Sequence, residues 1–148
     1  HDLVRPALEQ WGATIDFWRV AMKPGKPLLV ARRGRQWVIG LPGNPVSSYV
    51  TAFLFLLPLL RALAGADEPL PKPIAMRLGA PLSATGSRME FVRARLEAGA
   101  LVPVWEQDSS ALAALARAEA LVERPAHAPA AEAGEPVSAY WIGNGGIA

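Results

Sequence analysis

Apolar side chains recur at Leu3, Val4, Ala7, Leu8 and Trp11, the spacing of one helical face, and Gly12 follows as a natural stop. Pro6 fits such a helix only near its start. The period then changes. Residues 15–20, "IDFWRV", alternate and are aromatic and β-branched, which predicts a strand. Residues 28–32 and 36–40 predict two more short strands around a turn containing Gly34. From 46 to 63 the chain is mostly apolar, which predicts a buried helix bent where Pro58 removes a backbone donor. Its apolar run over 50–60 is about eleven residues, against the roughly 20 needed to cross a bilayer. Helix, strand, hairpin and helix together read as the tail of an α/β domain.

The texture changes at "AGADEPLPKP", residues 64–73, rich in proline and charge. Residues 74–78, 90–97, 100–106 and 136–143 predict strands, with Ala98-Gly99 as a hairpin turn. One helix is expected over 110–120, capped by Ser109 or Ser110, and "RPAHAPAAEAGEP" reads as a loop. The expected organisation is an α/β part over 1–64, a linker over 65–73, and a small β-rich, partly closed barrel over 74–148.

Composition adds limits. The chain has 148 residues, 51% of them hydrophobic, enough for a sizeable core. It has no cysteine, which excludes disulfides and thiolate chemistry and fits a reducing cytoplasm. His1 stands where an initiator Met would, and no signal peptide follows, so the chain reads as a fragment of something longer. The net charge of +2 hides an asymmetry: through Arg61 there are eight Lys or Arg against three acids, and beyond it seven against ten. A basic half favours an anionic partner. Dispersed arginines without an aromatic-interleaved patch argue for a small anion over nucleic acid. His1 and His127 are isolated and lack metal-ligand spacing.

Three stretches carry candidate chemistry. In "GLPGNPVSSY", residues 40–49, Asn44 can cap the following helix and Pro45 can take its first position. Gly43 would let a ligand approach the backbone. The amides of Val46, Ser47 and Ser48 would then form an anion site at the helix start, with the serine hydroxyls as added donors. An ordinary well-capped helix fits the same residues. In "VAMKPGKPL", residues 20–28, Pro24-Gly25 suits the centre of a type II turn that brings Lys23 and Lys26 together, with Arg19 nearby. Like charges so held repel unless an anion lies between them, although a solvated basic turn is the alternative. In "EFVRARLE", Val92, Ala94 and Leu96 alternate inward, leaving Phe91, Arg93 and Arg95 on the other face. Two guanidiniums there suit an oxyanion or simply a solvated strand.

The run "FWRVAMKPGKPLLVARRGRQWVIGLPGNPVSSYVTAFLFLLPLL" resembles the carboxyl-terminal half of the molybdopterin molybdenumtransferases, the MoeA proteins and the gephyrin E domain. "SRMEFVRARL" resembles that family's Arg-x-Glu-Phe-x-Arg strand. Where family members often carry Gly-Ser-Gly before the small helix, this chain has Asp108, Ser109 and Ser110. The resemblance implies the second half of a three-layer molybdopterin-binding α/β domain, followed by the small barrel-like domain. It implies insertion of molybdate into adenylylated molybdopterin with release of AMP, assisted by Mg2+ or another divalent cation, in a cytoplasmic homodimer.

Residue by residue, Asp2 resembles the acid after the family's glycine-rich loop and would hold the cation or orient water. Lys23 matches the lysine before Pro-Gly and shares the catalytic role, with Arg19 and Lys26 holding molybdate and phosphates. Pro42 and Pro45 match the two prolines of the active-site turn around Gly43, Asn44 and Ser47. Arg93 and Ser110 correspond to anion-contacting positions on the small barrel. The partner expected is a small anionic pterin, with no nucleic acid and no membrane. The rival readings are a pterin- or nucleotide-binding module without molybdenum chemistry and a gephyrin-like scaffold, which an exposed apolar groove on the barrel would favour.

Overall fold

The computed structural model of the chain describes residues 3–105 and 112–146. Helix α1 (Val4–Gln10) ends as expected at Trp11 and Gly12, the latter at φ +85°. Pro6 sits in its first turn, where backbone N–H groups lack intrahelical acceptors in any case. Strand β1 (Thr14–Phe17) stops sooner than the alternation suggested, after a register shift between Ile15 and Phe17. It pairs antiparallel with β3 (Leu29–Arg33), which forms a hairpin with β4 (Gln36–Gly40) across Gly34. Between β1 and β3 lies a strand that alternation did not reveal, β2 (Met22–Lys23). Two residues are too few to carry a period.

The long apolar helix is interrupted. Helix α2 (Pro45–Thr51) passes into a π-helical turn, Ala52–Leu56, and then α3 (Leu57–Leu63). The Leu57 N–H bonds back five residues to the Ala52 carbonyl. This places Pro58 in the first turn of α3, where its missing donor breaks no α-helical bond. The expected bend is therefore a π-turn immediately before the proline. The whole run of 19 residues is long and apolar enough to span a membrane by length and composition, more than the eleven-residue stretch suggested. One face is buried in protein through Val46, Val50, Phe53 and Pro58.

Strands β5 (Ile74–Arg77), β6 (Met89–Glu97), β7 (Ala100–Pro103), β8 (Ala120–Arg124) and β9 (Pro136–Trp141) build the second sheet together with β2. Its order is β2-β6-β8-β9-β5, and β7 pairs with the far end of β6. Leu78, just past β5, bridges to Leu101 on β7, so the sheet curls toward its own other edge. The β6–β7 hairpin turns at Ala98 and Gly99, both at positive φ, as a two-residue loop requires. Strand β8 escaped the sequence reading. It follows an alanine-rich helical pattern, and both of its faces are buried at Ala120, Leu121 and Val122, so no alternation marks it. Among the described residues of the range expected to be helical, helix α4 covers Leu112–Ala116. Its proposed caps, Ser109 and Ser110, lie outside the described residues, as does the end of the strand expected to reach Glu106.

The sheet is buried on both faces. On one, Phe91 and Leu121 pack with Met22, Val50, Phe53 and Ile142, fixing α2 and the π-turn to it. On the other, Val92, Ala94, Leu101, Ala120, Val122 and Ala139 fill the inside of the curl. Met22 anchors the lysine-bearing segment between sheet and helix. Strand β2 belongs by sequence to the first part of the chain, yet it pairs in parallel with β6 of the second, Met22 with Met89 and Lys23 with Glu90.

Candidate functional site

The helix start has the shape its sequence predicts. Asn44 is extended, with φ −76° and ψ 128°, and Pro45 is the first helical residue. The amides, however, are occupied. Asn44 Oδ1 accepts from Val46 N at 3.0 Å and Ser47 N at 3.2 Å, while Ser48 N donates to the Asn44 carbonyl at 2.8 Å. Ser48 Oγ donates to the Pro42 carbonyl, and Ser47 is buried. The expectation of three outward-facing amides with serine hydroxyls beside them is thus corrected: the cap that shapes the turn consumes its donors. Pro42 is buried, and Gly43 is exposed with open space where a side chain would stand.

The Lys-Pro-Gly-Lys-Pro loop also departs from expectation. The Lys23–Pro24 bond is cis, a geometry the sequence does not reveal. The loop is closed instead by Val20 N donating to the Lys26 carbonyl at 3.0 Å. Gly25 is buried at φ +110°, and a Cβ there would lie 2.5 Å from Thr51 Cγ2. The loop therefore rests directly on α2, the helix that begins at Pro45. This contact ties the lysine loop to the far end of the helix that Asn44 caps, a tie that neither motif could show alone.

Lys23 and Lys26 are exposed beside that contact. Lys23 Nζ lies 3.5 Å from Glu90 Oε1. Arg19 is stacked on Trp18, its guanidinium 4.2 Å from the ring centroid, with Arg5 at 4.7 Å from the same ring. Arg93 shares a strand face with Phe91, as the alternation predicted, but that face is no solvated surface: Arg93 is fully buried within the sheet packing. Only Arg95 of the pair is exposed, ion-paired to Glu97. Asp2 and Ser110 lie outside the described residues.

Sequence reasoning missed Glu90 and Arg124. They are register partners across β6 and β8, and Lys23 is the partner of Glu90 across β2, so the three form one row over three strands. Arg124 is buried, and its Nη2 donates to the carbonyls of Ser83, at 3.5 Å, and Pro129. No sequence signal marks this row, because β8 itself was unrecognised. Among the described residues no three His, Asp or Glu side chains gather as a metal site would require.

Residues 1–62 match the family described as the probable molybdopterin binding domain, and residues 75–142 match the MoeA C-terminal region, domain IV. The chain belongs to the molybdopterin molybdenumtransferase family. It is 40% identical over 143 residues to the Drosophila melanogaster molybdenum cofactor synthesis protein cinnamon, covering 90% of this chain and 24% of that protein. It is 42% identical over 113 residues to the Synechococcus elongatus molybdopterin molybdenumtransferase, covering 74% and 27%. The crystal structure of the molybdopterin biosynthesis MoeA protein from Pyrococcus horikoshii superposes with a TM-score of 0.77 at 28% identity, over 93% of this chain and 34% of that one. The chain thus spans about a quarter to a third of the length of these relatives, and its α/β part followed by a β-rich part is the MoeA arrangement.

Proposed function

We propose that the intact protein inserts molybdate into adenylylated molybdopterin, releasing AMP, and that the lysine loop seated on α2 is its anion-holding element. The docking of Gly25 on Thr51 supports this reading, because it seats the loop that carries Lys23 and Lys26 on the helix that the Pro42–Pro45 turn begins. Delivering molybdate to a phosphate-bearing pterin brings like charges together, at about 4 kcal/mol for each unit pair 4 Å apart near a protein surface. Two ammonium groups on a closed loop offset that repulsion without moving as the charges meet. Arg19 flanks them, while Gly43 leaves room for close approach to the backbone of the turn. Arg93, being buried, sets the sheet beneath. Asp2 and Ser110 complete the expected contact set, and no step is assigned to a divalent cation.

The same reading holds the protein to be a cytoplasmic homodimer that binds a small anionic pterin, with neither nucleic acid nor membrane as partner. It keeps the chain's organisation as an α/β part over 1–64, a linker and a β-rich part from 74. Its test is Lys23→Ala against Arg35→Ala in the intact protein, with cofactor synthesis measured by reconstituting an apo-molybdoenzyme. Lys23→Ala should lose most of the synthesis and Arg35→Ala, in the β3–β4 turn, very little. Equal activities would sink the assignment.

A non-catalytic scaffold is the second reading. An apolar groove of about 420 Å³ between the π-turn and the sheet favours it, lined in part by Leu54, Phe55, Phe91 and Tyr140. Absence of synthesis by the unsubstituted intact protein in the same assay would favour that reading.

A further inference from the structure

Beside Lys23, on the inner face of the curled sheet, lies a cleft of about 300 Å³. We propose that it binds a flat heteroaromatic ring carrying a phosphate, the phosphate between Lys23 and Arg124 and the ring against Trp105. This rests on the molybdopterin reading and names where one phosphate-bearing ring of that substrate sits. The floor is the row Lys23, Glu90 and Arg124 across β2, β6 and β8. Arg124 is held by two backbone carbonyls, which fixes its plane, and its Nε meets no acceptor among the described residues. A guanidinium and an ammonium on one row suit a phosphate.

The rest of the lining is partly apolar: Leu82, Val92, Pro103 and Val104 contribute to it together with Trp105, which is 79% exposed. An indole so exposed gains by covering its face with another ring. The volume is at the low end for ligand pockets, which suits one ring and one phosphate but not a whole adenylylated pterin. Glu90 makes the charge arrangement testable. Its carboxylate lies 3.5 Å from Lys23 Nζ, so a phosphate arriving there competes with it.

The experiment is calorimetric titration of the intact protein with AMP and, separately, with neopterin monophosphate. Trp105→Ala, at an exposed position, should weaken binding roughly tenfold. Glu90→Gln should tighten it several-fold by removing the competing charge. A response with AMP alone identifies the ring as adenine, and a response with neopterin monophosphate alone identifies it as the pterin. Failure of both compounds to bind, or binding indifferent to both substitutions, would overturn the proposal. The two readings fail separately. Lost synthesis in Lys23→Ala with unchanged binding in Trp105→Ala removes the cleft and leaves the enzyme. Normal synthesis in Lys23→Ala with binding that depends on Trp105 removes the anion-holding role of Lys23 and leaves the cleft.

Discussion

Replacing Gly25 with alanine tests whether the lysine loop is positioned by its contact with α2. Two costs arise from the structure. At φ +110° an L side chain is strained, by about 1–2 kcal/mol. The new methyl would also sit 2.5 Å from Thr51 Cγ2. Thr51 cannot turn aside, because it is fully buried and its Oγ1 donates to the Ser47 carbonyl at 2.7 Å. Overpacking of this kind costs about 1–3 kcal/mol. Met22 Cε, the next nearest atom at 3.3 Å, belongs to a flexible side chain and adds little. The expected loss is therefore about 2–5 kcal/mol, read from urea unfolding.

The two costs separate by mutation. Thr51→Ser removes Cγ2 and keeps the hydroxyl, at about 1 kcal/mol by itself. In that background Gly25→Ala should cost only the backbone part, leaving a coupling of about 1–3 kcal/mol between the sites. Cofactor synthesis should recover with stability in the double variant. If Gly25→Ala unfolds at the wild-type midpoint, or if Thr51→Ser gives no relief, the loop is not seated as described.

Asn44→Ala removes an acceptor shared by two buried-side amides, so stability should fall by about 1–2 kcal/mol in thermal unfolding; a change near zero would mean water caps the helix equally well. Tyr140 has its pKa pushed up from 10.0 to about 12, first by burial and then by its 2.6 Å hydrogen bond to Glu123. Its neutral form is thus favoured in the native state. That contribution to stability is complete below pH 10 and is lost as pH rises toward 12. Phenolate absorbance should show a late transition, and Glu123→Gln should move it earlier while leaving it above 10, since burial remains. A transition at 10 in the parent would contradict the packing of Tyr140 against Phe53 and Phe91.

Local chemistry was legible along the chain. The Asn44 cap, Pro45 at the first helical position, the glycine stop of α1, the Gly34 turn and the Ala98-Gly99 hairpin all follow from dihedral preferences and donor loss, which a residue carries wherever it sits. The shared face of Phe91, Arg93 and Arg95 followed from the two-residue period of a strand. What covers that face did not. Alternation gives a side, while burial depends on another segment arriving there, and α2 with the π-turn arrives from forty residues earlier to pack on Phe91. Strand β8 was hidden for the same reason, since a strand covered on both faces has no polar period to read. The donors at the helix start were counted as free because a sequence shows which groups exist, and only coordinates show which are already paired. The row of Lys23, Glu90 and Arg124 belongs wholly to the tertiary structure: strand pairing joins positions 67 and 34 residues apart, and no local rule reaches that far.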